Sequence, residues 1–79
     1  MSKKEYPQLQ ILFGENLQKI RLDKKLSLRA MAANCDLDDS NISKIENGKF
    51  NVQLSTIIEL AKGLDVDPRE LLEFNFIKD

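Results

Sequence analysis

Apolar residues recur along most of the chain at three- and four-residue intervals, which places them on single faces of α-helices. Leu9, Phe13, Leu17 and Ile20 form the first series and predict a helix over residues 9–24, ending in Asp23-Lys24-Lys25, where cations suit the helix dipole. Gly14 interrupts this helix and is expected to cost about 1 kcal/mol against alanine. Leu28, Met31, Ala32 and Cys35 follow Ser27, a good N-cap, and predict a second helix over 28–34. Asn34 to Leu37 reads as a tight turn, with Asp36 suited to a positive φ. Asp38 then caps a third helix over 39–47, with Ile42 and Ile45 inward and Gly48 where a left-handed closing residue belongs. Phe50 to Gln53 is a loop. Leu54, Ile57, Ile58, Leu60, Ala61 and Leu64 predict the fourth and most apolar helix, 54–63, closed by Gly63. Asp67-Pro68-Arg69-Glu70 offers a cap, a proline at the first helical position and a capping-box-like glutamate, and predicts a fifth helix over 68–74 with Leu72 in the core. No strand-like alternation extends beyond a few residues. The expected fold is all-α and five-helical, with residues 1–8 as a flexible polar arm and 9–79 as one domain ending in a dimerisation segment.

Composition narrows the function. A chain of 79 residues is one small domain. It has no His and one Cys, which excludes a Cys/His zinc site, a Ser-His-Asp triad and an internal disulfide. With no room for a large cleft either, neither an enzyme nor a metal or cofactor site is expected. The single Cys35 lies on the inward stripe of the second helix and reads as an inert buried thiol. A lone cysteine without a leader-like pattern points to the cytoplasm. No apolar run approaches the ~18 residues that would span a membrane.

The net charge of −1 conceals a strong asymmetry. Residues 1–29 carry seven basic and three acidic residues (+4), 30–49 two and four (−2), and 50–79 three and six (−3). One face of such a dipolar molecule can still meet a polyanion.

Two short helices joined by a tight turn, the second ending in Glu46-Asn47-Gly48, make a helix-turn-helix unit. Over Phe13 to Leu72 the chain resembles the lambda-repressor-like (Xre/Cro-type) DNA-binding domains. The matching pieces are "GENLQKIRLDKKLS", "LRAMAANCDLDDSNISKIENGK" and "LSTIIELAKGLDVDPRELL", aligned without gaps. The resemblance implies that double-stranded DNA is the partner and that the third helix enters the major groove. Base edges would be met by Asp39, Ser40 and Lys44, with Asp38 at the helix start. Lys44 can donate to guanine O6 or N7, and Asp39 can only accept, from the cytosine N4 amino group. Phosphates would be held by Ser27, Asn41, Asn47, Lys49, Asn51 and the backbone of Phe50. The family also implies that Arg21 pairs with Glu46, tying the first helix to the third and aiming it.

Each residue has a plainer alternative. Asp38 serves as a cap and Asp39 favours the helix dipole. Lys44, Lys49 and the cluster Lys19, Lys24, Lys25 and Arg29 can equally be solvated, and Lys3 and Lys4 can be an idle tail rather than a minor-groove arm. The chain also departs from the family. Leu28 stands where a phosphate-binding Gln is common, and Asp36 stands where Gly is common. Asp38 and Asp39 bring negative charge close to phosphates, so non-specific binding should be weak.

One such domain reads one half-site. Phe74, Phe76 and Ile77 exceed what a small core can bury, and are expected at a homodimer interface. The expected function is a sequence-specific transcription regulator acting as a homodimer on an inverted repeat. No small-molecule effector is evident, so regulation would follow its own concentration. Autoregulating repressors, restriction-modification controllers and antitoxins all fit. A protein-interaction module that has kept the fold and lost DNA binding is the alternative.

Overall fold

The structure is a computed structural model and describes residues 6–76. Its elements are α1 (Pro7–Asp23), α2 (Leu28–Ala32), α3 (Asp39–Glu46), α4 (Leu54–Leu64) and a 3-10 helix (Pro68–Leu72). The described residues are all helical or irregular, with no strand among them. The expected five α-helices are therefore four, followed by a single 3-10 turn. Pro68 lacks an N–H, and the Asp67 carboxylate takes the N–H of Arg69 at 2.9 Å. The next N–H, of Glu70, bonds the Asp67 carbonyl three residues back at 2.9 Å, which sets the tighter 3-10 winding. Arg69, rather than Glu70, completes the cap by reaching Asp67 with its guanidinium at 3.1 and 3.2 Å.

That winding changes which leucine is inside. At three residues per turn Leu71 follows Pro68 onto the inner side. Leu71 is buried, and Leu72, expected in the core, is 54% exposed. The remaining core is Phe13, Leu17, Met31, Ile42, Ile45, Leu60, Ala61 and Leu64, one cluster drawn from all four α-helices. Each fully buried large side chain stabilises the fold by about 1.5–3 kcal/mol.

Three helices stop in the same way, with a left-handed residue and paired back-bonds to the last turn. Lys25 (φ 60°), Gly48 (φ 74°) and Asp65 (φ 57°) occupy those positions. After α1, Lys25 N–H bonds the Leu22 carbonyl at 2.9 Å and Leu26 N–H bonds the Arg21 carbonyl at 3.1 Å. Asp65, not Gly63, closes α4. Gly63 lies inside the helix, where an added Cβ would stand 3.0 Å from the Met31 carbonyl oxygen, so it permits the close approach of α2. Asp36 is not among the residues with positive φ. Pro7 and Gln8, expected in the arm, open α1, with Pro7 in its first turn. Residues 1–5 and Ile77 lie outside the described residues.

Candidate nucleic-acid interface

The unit formed by α2, the turn 33–37 and α3 packs on α1. Ser27 caps α2, its hydroxyl oxygen accepting the Ala30 N–H at 2.9 Å, and Asp38 caps α3 by accepting the Asn41 N–H at 2.8 Å. The expected capping role of Asp38 is thus occupied by one carboxylate oxygen. Ile42 and Ile45 point into the core. On the opposite side Ser40, Lys44 and Asn47 are exposed at i, i+4 and i+7, one outward row on α3. Asn41 is exposed beside it, and Asp39 is half-buried in the first turn. Asn47 donates to the Ser43 carbonyl at 2.8 Å, which fixes its amide at the end of the row. Lys49, Phe50 and Asn51 follow, all exposed, on the segment leaving α3.

The frame behind this row is polar and buried. Arg21 and Glu46 are 8% and 7% exposed. Arg21 Nε donates to Glu46 Oε2 at 2.6 Å and Nη2 to Oε1 at 3.0 Å, a two-pronged pair between α1 and α3. These bonds raise the guanidinium's proton affinity above the ordinary arginine value, with burial opposing them. Two further partners complete the arrangement. Arg21 Nη1 donates to the Leu26 carbonyl at 2.8 Å, and Gln18 Nε2 donates to Glu46 Oε1 at 3.2 Å. One guanidinium therefore holds both the end of α1 and the end of α3.

Gln18 and Leu26 were not anticipated, nor were two other contacts on the same side of α1. Gln10 Nε2 donates to the Gly48 carbonyl at 3.1 Å. A Cβ on Gly14 would fall 2.5 Å from the Glu46 carbonyl oxygen and 2.8 Å from its carbon. Gly14 is therefore the crossing point of α1 and α3, not merely a weak place in a helix. Gln10, Gly14, Gln18 and Arg21 are spaced by four, four and three residues. That helical spacing among polar residues and glycine was the available signal.

The remaining expected site residues lie elsewhere. Phe74 is half-buried against the core, and the Phe76 ring meets Tyr6 edge to face with centroids 6.3 Å apart. The large exposed apolar side chains of α4 and the 3-10 helix are instead Leu54 (81% exposed), Ile58 and Leu72. With Ser55, Ile57 and Pro68 they line a shallow apolar depression. Cys35 is half-buried, its thiol near the Met31 carbonyl at 3.7 Å. Among the described residues no group of His, Cys, Asp and Glu side chains is placed to hold a metal ion, and no helix is long and apolar enough to cross a membrane.

An outward polar row on the second helix of a bihelical unit, held from behind by a buried ion pair, defines a helix-turn-helix DNA-binding protein. The Helix-turn-helix family model HTH_3 matches residues 17–71, and the chain belongs to that family of DNA-binding transcription regulators. Control protein C.BamHI of Bacillus amyloliquefaciens is 41% identical over 70 residues, covering 87% of this chain and 86% of that protein. Control protein C.MunI of Mycoplasma sp is 42% identical over 64 residues, covering 80% and 86%. The crystal structure of the restriction-modification controller protein C.AhdI from Aeromonas hydrophila superposes with a TM-score of 0.75 at 41% identity, covering 84% of this chain and 98% of that one.

Proposed function

We propose that this protein is a controller-type transcription regulator that binds an inverted-repeat operator as a homodimer, with α3 of each copy in the major groove. The observation that carries the reading is the row Ser40, Lys44 and Asn47, exposed on a helix that the buried Arg21–Glu46 pair ties to α1. Lys44 donates to a guanine edge, Ser40 accepts either partner, and Asp39 accepts from a cytosine amino group. Asp38, already engaged as a cap, lies at the edge of this set and contributes chiefly by placing the helix. Ser27, Asn41, Asn47, Lys49, Asn51 and the Phe50 backbone hold phosphates on either side, and so set register rather than sequence. The likeness to restriction-modification controller proteins supports a role in the control of such a system.

The dimer is formed through the apolar surface of α4 and the 3-10 helix. Leu54, Ile58 and Leu72 are exposed together there, and a second copy related by a two-fold axis would cover each patch with its equal. Phe74 and Phe76, already half-buried within one chain, add less than expected. Two half-sites about 34 Å apart would then be read by the two α3 helices.

Selection from a pool of random duplexes at moderate salt tests the reading. An enriched inverted repeat, lost when Lys44→Glu and Lys49→Glu are combined, is the expected result. A folded protein that enriches nothing, and whose behaviour the two reversals leave unchanged, would transfer the reading to a protein-interaction module, to which the acidic start of α3 is also suited.

A further inference from the structure

The turn between α2 and α3 is fastened to α4 by a side chain that belongs to neither helix of the bihelical unit. Glu59, on α4, accepts the main-chain N–H of Asp36 at 2.8 Å through one carboxylate oxygen. Its other oxygen accepts from Lys62 Nζ, one turn further along α4, at 3.1 Å. The Glu59 side chain is 26% exposed against 59% for Lys62, so the carboxylate is the less exposed partner of the pair. Both hydrogen bonds favour the charged form and hold the Glu59 carboxyl below the ordinary range, the bond from Asp36 contributing most. A second fastener lies beside it, where Asn34 Nδ2 donates to the Gly63 carbonyl at 3.4 Å.

The position of this link matters because of how α3 is supported. α3 packs chiefly on α1 and α2. Among the described residues, no side-chain hydrogen bond joins α3 directly to α4. The orientation of α3 relative to α4 is therefore set by non-directional packing, in the shared apolar core and through α2 against Gly63, and by the directional bond with which Glu59 holds the turn. In the homodimer proposed above, α4 meets the partner and α3 meets the DNA. The α3-to-α4 relation then sets the separation of the two reading helices.

We infer that Glu59 is a positioning residue that sets half-site spacing, by fastening the α2–α3 turn to the helix that carries the dimer contact. This rests on the homodimer reading. It assigns Glu59 no contact with DNA. A charged acceptor on a main-chain N–H is a strong and directional bond. Without it the Asp36 N–H turns to water, and the turn gains freedom to shift on α4.

Half-site spacing is the quantity to measure. Duplexes carrying the selected inverted repeat at the preferred separation, and at separations one base pair longer and shorter, are titrated with full-length protein beside a duplex holding one half-site. One base pair displaces a half-site by about 3.4 Å. The wild type should prefer one spacing by about tenfold, and Glu59→Ala should compress that preference to about threefold or less, with single half-site affinity changed by less than about twofold. Glu59→Gln keeps a carbonyl acceptor for the Asp36 N–H and should restore most of the preference, which a role in charge balance alone would not. If Glu59→Ala fails to give a helical circular dichroism spectrum, Glu59→Asp, one methylene too short to reach the turn, takes its place. An Ala or Asp variant as sharp as the wild type overturns the role of Glu59 and leaves the dimer standing. A wild type with no spacing preference overturns the dimer, and the role of Glu59 with it.

Discussion

At the crossing of α1 and α3 four polar side chains, the buried Arg21 and Glu46 and the more exposed Gln10 and Gln18, are bonded to one another or to main-chain carbonyls. At the α4 end the reverse holds. Leu54, Ile58 and Leu72 face outward, while the polar groups there, Asp67 and Arg69, pair on the surface. The first region uses polar bonds with fixed directions, and the second exposes an apolar surface with none. Directional bonds suit a helix whose side chains must reach base edges in register, because a small rotation would misplace the whole row. Non-directional burial suits the interface proposed above, which two copies would close by symmetry.

The largest effect expected from breaking the first region is at the ion pair. Arg21→Ala leaves Glu46 buried and uncompensated, and should lower stability by about 3–5 kcal/mol in urea unfolding. The double replacement Arg21→Met with Glu46→Leu should cost much less in the same measurement, while still weakening DNA binding through loss of the aim of α3. Gly14→Ala comes next. In an open helix this change gains about 1 kcal/mol. Here the new Cβ meets main-chain atoms of α3 that cannot yield, so a net loss of roughly 1–3 kcal/mol is expected in thermal unfolding. Replacing Leu54 and Ile58 together by glutamate should leave the unfolding midpoint of the monomer nearly unchanged and abolish the dimer in sedimentation, which sharpens the contrast between the regions.

Smaller effects refine it. Lys25→Gly removes a side chain from a left-handed position and should stabilise the chain by about 1 kcal/mol at the end of α1. The smallest is pH dependence at the α4 end. Asp67 sits below the ordinary carboxylate range, held there by the Arg69 guanidinium and then by the Arg69 N–H, as Glu59 is by Asp36 and Lys62. Both contribute stability that is present above the usual carboxylate pKa of about 4 and lost as pH falls through their lower folded values. The melting difference between wild type and Asp67→Asn should therefore close on acidification through that window.

Much of this was legible in the sequence where apolar spacing carried the information. Phe13 and Leu17, Ile42 and Ile45, and Leu60 and Leu64 announce α1, α3 and α4 because burial imposes the helical period on them. The Glu46-Asn47-Gly48 corner and its partner Arg21 were legible through family resemblance. The stripe Gln10, Gly14, Gln18 was not, since polar residues at helical spacing also describe a face in water. Glu59 was hidden more deeply. Its partner is a main-chain N–H, which every residue but proline possesses and no side chain advertises. The fate of Leu71 and Leu72 turned on a choice between three and 3.6 residues per turn over a five-residue helix, too short for periodicity to decide.

The edge-to-face contact of Tyr6 with Phe76 joins residues seventy positions apart, and the bond from Asn16 Nδ2 to the Glu70 carbonyl at 2.9 Å spans a comparable stretch of chain. Closing so long a segment costs chain entropy on the order of 4 kcal/mol, more than the roughly 0.5–1.5 kcal/mol such a ring pair returns. The rings can therefore meet only after α1 and the 3-10 helix are already docked. The pair should thus form late in folding and open early, as faster amide exchange around Tyr6 and Phe76 than at the α1–α3 crossing would show.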